Sequence, residues 1–365
     1  MLTRRGLLMR GLGAGIAVSL PALSRAAALP AIDTTFLVIN DVHACRIGNS
    51  LSPSCLEEGK TDENLLRHIR ALNGLEGGHW PLEIGGKPSG LGVAGQPIER
   101  PAGVIVCGDV TDDSGGQTPA RVEGPQLLQF SERYQQGDGP DRLHYPVYVG
   151  LGNHDLDQDG KPPQVDWYRD ELRDYVRMNH KPSAFFKTPV PADNYDDLSD
   201  NYAWNWGGLH LVQGHRFVGD TQKNVPSSLD WLRLDLKTYA SDGRPVVLFQ
   251  HYGWDAFSTE RWDPAKVTYD PAGSGAPHWW SEDNRAELLS VLAPYNVIAI
   301  FHGHEHDVPM LYKTGNIDVF KARAAFMGGF CLVRVTGARL DVAIGEVNGQ
   351  DDGVTFTNAF SKAIG

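Results

Sequence analysis

Five short apolar runs in this chain lead into the same few side chains. Phe36–Asn40 runs into Asp41-Val42-His43, Val104–Cys107 into Gly108-Asp109-Val110-Thr111-Asp112, and Val147–Val149 towards Gly152-Asn153-His154-Asp155. Val246–Gln250 meets His251, and Val297–Phe301 meets His302-Gly303-His304-Glu305-His306. Short runs rich in β-branched residues read as buried strands. In an open α/β sheet, ligand sites are built beyond the carboxyl ends of the strands. The repeated junction therefore predicts one sheet edge that gathers Asp, His and Asn, a donor set suited to metal ions.

Two further runs, Leu209–Gln213 and Cys331–Val335, read as strands, and helix-like stretches lie between several of these runs. Asp62–Leu72 places Leu65, Leu66, Ile69 and Leu72 at helical spacing. Gln126–Tyr134, Val165–Asn179, Leu229–Tyr239 and Asp283–Leu292 behave alike, with Ser228 and Ser281 predicted to cap the last two. The alternation predicts an α/β protein. From Met310 onward, strand-like pieces are joined by Thr314-Gly315-Asn316 and Thr336-Gly337-Ala338, which predicts antiparallel hairpins packed on the first sheet. Residues 74–103 form a Gly- and Pro-rich insert with Trp80 near its start. A loop of that length predicts a lid or rim.

The 365 residues are 41% hydrophobic, enough for a sizeable core and too many for a disordered chain. Their 33 basic and 45 acidic residues give a net charge of −12, which excludes a simple electrostatic reader of nucleic acid or anionic membrane. A small anionic substrate is not excluded, because bound cations supply local positive charge that composition omits. Arg4-Arg5, an apolar Gly-rich stretch from Gly11 to Leu23, and Ser24-Arg25-Ala26-Ala27-Ala28 have the three parts of an export signal over residues 1–28. The stretch is too short and too Gly-rich for a membrane span, and Pro21 interrupts it. Cleavage after Ala28 removes four arginines and no acid, so 29 basic and 45 acidic residues leave −16. Residues 29–365 read as a single catalytic domain. Cys45 and Cys55, ten apart in a loop-like stretch, could pair in an oxidising compartment. Cys107 and Cys331 read as buried small hydrophobes. No CxxC spacing is present for a thiolate zinc site.

Taken in order, D-x-H at Asp41 and His43, G-D-x-x-D from Gly108 to Asp112, G-N-H-D from Gly152 to Asp155, the lone His251, and G-H-x-H from Gly303 to His306 resemble the calcineurin-like metallophosphoesterases. The resemblance implies a four-layer α/β/β/α sandwich of mixed sheets with flanking helices. It also implies two transition-metal ions, with Fe, Mn, Zn and Ni all compatible with a sulfur-free donor set. Asp41, His43, Asp109 and His306 would hold one ion, and Asp109, Asn153, His251 and His304 the other. Asp109 would bridge them at the roughly 3.5–4 Å spacing of in-line displacement at phosphorus, with a bridging hydroxide as nucleophile. His154 would stabilise the transition state or protonate the leaving oxygen, its ring fixed by Asp155. Asp112 reads as outer support for the turn after Asp109 or for a ligand imidazole. His302 fits no ligand slot and reads as structural or as outer support. Arg46, three residues after His43, could meet a phosphate.

The activity implied is that of an exported, dinuclear-metal hydrolase of a phosphomonoester. Its rival is a phosphodiesterase of the cyclic-nucleotide or glycerophosphodiester type. A non-catalytic metal-binding protein on the same scaffold is disfavoured because no ligand block is broken. A small phosphate ester is the expected partner, with no nucleic-acid polymer and no stable membrane span after cleavage. The paired arginines are similar to a twin-arginine signal, which implies a periplasmic or secreted protein. Asp41 to Asp109 spans 68 residues, more than the family pattern, and puts extra chain beside the first metal. His68, His79, His144, His180, His210, His215 and His278 lie outside every block and read as surface or packing residues.

Overall fold

The structure is a computed structural model that describes residues 31–47, 50–51, 53–112, 125–156, 165–180, 189–221, 225–254, 262–263, 268–269, 280–348 and 352–364. The expected signal over residues 1–28 and His278 lie outside these residues. The apolar runs become strands β1 (Asp33–Ile39), β2 (Val104–Val106) and β3 (Val147–Val149), joined through helices α1 (Asp62–Asn73) and α2 (Pro125–Tyr134). Helix α3 (Val165–Asn179) leads to β4 (Asn194–Tyr195), β5 (Tyr202–Trp206) and β6 (Leu209–Gln213). Next come α4 (Leu229–Tyr239), β7 (Val246–Phe249), α5 (Glu282–Leu292) and β8 (Val297–Phe301). The chain ends in β9 (Met310–Thr314), β10 (Ile317–Lys321), β11 (Gly329–Thr336), β12 (Arg339–Val347) and β13 (Val354–Ala363).

Backbone pairing sorts these strands into two mixed sheets. One has the order β13-β12-β11-β1-β2-β3, and the other β9-β10-β8-β7-β6-β5-β4. β1, β2 and β3 are parallel, as are β6, β7, β8 and β10. The period-2 alternation of a strand then assigns each side chain to a layer. Along β7, Val247 and Phe249 join the larger core, while Val246 and Leu248 pack with Leu232 of α4 and Leu288 of α5. Between the sheets, Phe249 meets Phe36 of β1 at 6.1 Å, and Tyr148 of β3 stacks on Trp204 of β5 at 4.2 Å between centroids. Leu65, Ile69 and Phe130 of α1 and α2 complete the larger core. The result is helices, sheet, sheet, helices. β5 lies within the second sheet, with Trp204 fully buried.

Three local expectations change. Ser281 caps α5, its Oγ accepting from the Asn284 amide at 3.1 Å, but Ser228 does not cap α4 with its side chain. The Ser228 hydroxyl instead accepts from Asn201 Nδ2 at 2.6 Å and the Gly219 amide at 3.2 Å, two buried donors. The late strands do not pack on the first sheet. They extend both sheets in plane, β10 beside β8 and β11 antiparallel to β1, because each offered an unpaired edge. The insert at 74–103 forms no lid or rim over the motif edge. Trp80, Leu91, Val93 and Ile98 are buried in the larger core. The Ala102 amide donates to Thr35 O at 2.8 Å and the Gly92 amide to Asp341 Oδ1 at 2.6 Å. Thr35 lies at the start of β1, the end opposite Asp41, so the insert closes the far end of the first sheet. No helix among the described residues is long and apolar enough to cross a membrane.

Candidate metal centre

The turns that leave β1, β2 and β8 carry strained backbone. Six described non-glycine residues have positive φ, and four of them are Asp41 (54°), His43 (47°), Asp109 (50°) and His304 (81°). Such conformations cost about 1–3 kcal/mol each and persist only where the surroundings enforce them. Here the enforcement is a ladder that continues β1 and β2 beyond their ends. The amides of Asp41, His43 and Ala44 donate to the carbonyls of Gly108, Asp109 and Val110 at 3.0–3.1 Å. Gly108 has φ +87°, and a Cβ there would sit 2.6 Å from Nδ1 of His251. At Gly303 a Cβ would sit 2.7 Å from Oδ2 of Asp41. Both motif glycines are therefore required by the close approach of a donor side chain.

The donor atoms converge in two groups that share Asp109. Asp41, His43, Asp109 and His306 form one, and Asp109, His251 and His304 the other. Oδ2 of Asp109 lies 3.0 Å from Nε2 of His251 and 3.6 Å from Nε2 of His43. It is buried and accepts no hydrogen bond among the described residues. Asn153 enters the second group through Oδ1, 2.9 Å from Nε2 of His251. Ring nitrogens face one another: His43 Nε2 and His306 Nε2 at 3.1 Å, His304 Nδ1 and His251 Nε2 at 3.2 Å. Octahedral ligands with bonds of about 2.1 Å have edges of about 3.0 Å, so these spacings fit a common ion. The tautomers fit too. His43 Nδ1 donates to Asp112 Oδ1 at 3.0 Å and His251 Nδ1 to the Cys107 carbonyl at 2.8 Å, so in the neutral rings the inward Nε2 carries the lone pair. The residues present fit a pair of divalent or trivalent ions.

The electrostatics agree. Burial by itself would lower His43 and His251. Asp112, Asp41 and Asp109 outweigh it at His43, and Asp109 and Asp41 at His251, pushing each up to about 9. Burial would raise Asp41 and Asp109, yet the surrounding imidazoles hold both below the usual carboxylate range. Carboxylates this deeply buried create a surplus of negative charge that cations relieve.

The supporting residues differ in part from expectation. Asp112 Oδ1 accepts from His43 Nδ1 and also from Lys60 Nζ at 2.7 Å. Lys60 was not legible as a site residue, since nothing in its local sequence marks it. His154 is not oriented by Asp155. Its Nδ1 donates to the main-chain carbonyl of Asp112 at 2.5 Å, and its amide to Asp109 Oδ1 at 2.9 Å. Asp155 instead accepts from the amides of Val110, Thr111 and Gly152 and from the Thr111 hydroxyl, at 2.7–3.1 Å. It ties the Asp109 turn to the Asn153 turn, because four donors around a buried carboxylate leave no face for the ring. Burial and the charge of Asp109 push Asp155 up to about 6. Arg46 pairs with Glu132 at 2.9 Å, so its guanidinium is directed to α2. His302 Nδ1 donates to the Gly303 carbonyl at 2.9 Å, and its Nε2 lies 3.0 Å from the Tyr312 hydroxyl. Phe326 stands edge-on to His43 and His306, at 5.6 and 5.3 Å. Cys45 and Cys55 form a disulfide with Cα atoms 6.4 Å apart, next to Asp112. Cys107 and Cys331 are free and buried.

A fold of this kind with such a centre defines a class. The calcineurin-like phosphoesterase family model matches residues 34–308, and the chain belongs to that family. It is accordingly a metal-dependent phosphoesterase, from a family that typically binds two metal ions. Among solved structures, a dimetal phosphatase from Danio rerio is similar over 91% of this chain and 99% of its own, with 14% identity and TM-score 0.50, a likeness of fold. The calcineurin-like phosphoesterase YfkN from Bacillus subtilis aligns over 92% of this chain and 91% of its own, with 11% identity and TM-score 0.39. No curated protein matches the sequence.

Proposed function

We propose that this chain is an exported dinuclear phosphomonoesterase. Asp41, His43, Asp109 and His306 hold one ion, and Asp109, Asn153, His251 and His304 the other. The observation that carries this reading is the buried Oδ2 of Asp109, flanked by imidazole nitrogens at 3.0 and 3.6 Å with no hydrogen bond of its own among the described residues. Bound there, the ions would supply Lewis acidity and nucleophile activation for displacement at phosphorus.

The protein's own residues do the rest. Asp112 and the Cys107 carbonyl hold His43 and His251 in the tautomer that keeps Nε2 available. His154 keeps its Nδ1 proton on the Asp112 carbonyl, so Nε2 is the nitrogen that exchanges a proton with the leaving oxygen. Asp155 locks the two turns that carry Asp109 and Asn153. Residues 29–365 act as one catalytic unit. The disulfide beside the site supports an oxidising compartment, and with it the removal of residues 1–28.

The deciding experiment reconstitutes the metal-free protein with Mn, Fe, Zn or Ni and assays phosphomonoesters against cyclic and glycerol phosphodiesters. Two bound ions and a preference for monoesters are expected. A preference for diesters would replace the monoester reading, and a single bound ion in active protein would end the dinuclear one. The mass of the protein from the periplasmic fraction should begin at Leu29.

A further inference from the structure

His215 lies outside every motif and is 4% exposed. It follows β6 in the second sheet, with φ +49°. Its Nδ1 accepts from the amide of Leu151, at the end of β3 in the first sheet, at 3.0 Å. Its Nε2 donates to the Asp200 carbonyl at 2.7 Å. An amide can only donate and a carbonyl only accept, so the ring is the neutral Nε2–H tautomer. Its own carbonyl accepts from the amide of His251 at 2.7 Å. One residue thus touches the backbone of His251 and the backbone two residues before Asn153.

Those two ligands come from opposite sheets and meet at 2.9 Å. Their spacing depends on how the sheets sit together at this edge. Other polar contacts cross the sheets deeper down, Tyr202 Oη to the Val149 carbonyl at 3.0 Å and Gln213 Nε2 to the Val106 carbonyl at 2.9 Å. Nearer the ligands, His251 Nδ1 itself crosses to the Cys107 carbonyl at 2.8 Å, and His215 is the crossing that ties the chain leading into Asn153 to the amide of His251. Its far anchor is rigid, because the buried Asp200 carboxylate is bound by Arg173, by Arg177 Nε at 2.7 Å and by Tyr195 Oη at 2.9 Å. Asp41, His43, Asp109 and His306 make no hydrogen bond to His215.

We propose that His215 is a positioning residue for the second ion alone, setting the separation of Asn153 and His251 by pinning the ends of β3 and β7 to one side chain and its own carbonyl. This rests on the dinuclear reading above. Outer supports of metal ligands typically change affinity about 10–100-fold.

The test titrates the full-length, metal-stripped protein with Mn(II) by calorimetry. His215→Asn places Oδ1 where Nδ1 accepts from Leu151, and asparagine tolerates positive φ. His215→Gln keeps the donor towards Asp200 and loses the acceptor. The wild type should bind two ions. The asparagine variant should bind both with wild-type affinity, and the glutamine variant should bind one about 10–100-fold more weakly while the other changes less than about twofold. Equal weakening of both ions, no weakening in the glutamine variant, or identical behaviour of the two variants would overturn the proposal. If the glutamine variant does not fold, the asparagine variant decides alone, since selective loss of one ion there contradicts the assigned contact. A wild type that binds fewer than two ions would fail the dinuclear reading instead, so the two failures are separable.

Discussion

The ring of His154 is held by Asp112 through a peptide carbonyl, at 2.5 Å, and not through a carboxylate. The side chain of the same Asp112 holds His43 at 3.0 Å. One residue therefore orients a proposed metal ligand and a proposed acid by two different groups, and substitution separates them. His154→Ala removes the proton donor and leaves every proposed ligand in place. Turnover should fall about 10²–10⁴-fold with two ions still bound, measured by steady-state kinetics and metal analysis on the same preparation.

Asp112→Asn removes the charge but keeps the carbonyl. His154 stays anchored, while His43 loses its carboxylate and Lys60, whose side chain is 8% exposed, loses an ion-pair partner. Affinity for one ion should drop about 10–100-fold, and turnover at saturating metal should change far less than in the alanine variant at 154. A metal titration of the rate reads both quantities.

Asp155→Asn brings an amide donor among four donors. At least one buried group is then unsatisfied, at about 1–3 kcal/mol each and more where a charge was involved. Stability should fall by about 3 kcal/mol in a urea titration, with metal affinity falling alongside because Asp155 ties the Asp109 turn to the Asn153 turn. Loss of turnover without loss of stability would restore a direct role on the His154 ring.

His68 offers a pH dependence remote from the metals. It is fully buried, with Nδ1 accepting from Tyr134 Oη at 2.8 Å and Nε2 donating to the Gly329 carbonyl at 3.1 Å. Burial lowers it to about 4, against a smaller opposing effect of the Gly329 carbonyl. The unfolded state takes up the proton near the ordinary value of 6.5, before the folded state does. Its contribution is therefore fully present above about 6.5 and lost as pH falls towards 4, worth about 3 kcal/mol across that window. Unfolding free energies at pH 7.5 and 4.5 should differ less in His68→Leu than in the wild type.

The strands, the helices and the motif-bearing edge were legible because each depends on neighbours in sequence. Periodicity marks Leu65 and Ile69, and the five blocks mark the residues that the fold brings to one edge. Long-range geometry was not legible. Lys60 reaches Asp112 across 52 positions and His215 reaches Leu151 across 64, and neither has a local signature. Ser228 looked like a cap because it precedes a helix, but two buried donors outcompeted the helix end for its hydroxyl. The insert looked like a lid because length and glycine content suggest a loop. Trp80, Leu91, Val93 and Ile98 needed burial, and the far end of the first sheet provided it.

The positive φ angles at Asp41, His43, Asp109 and His304 set durability against competence. At each position, glycine would relax the backbone by about 1–3 kcal/mol while deleting a proposed ligand. His304→Gly, measured without metal, should therefore melt at a higher temperature than the wild type, and on adding Mn(II) the order should reverse. Selection for thermal stability alone would drive these four positions away from the residues they carry. A library screened only for survival on heating should return inert proteins enriched in glycine and asparagine at these turns.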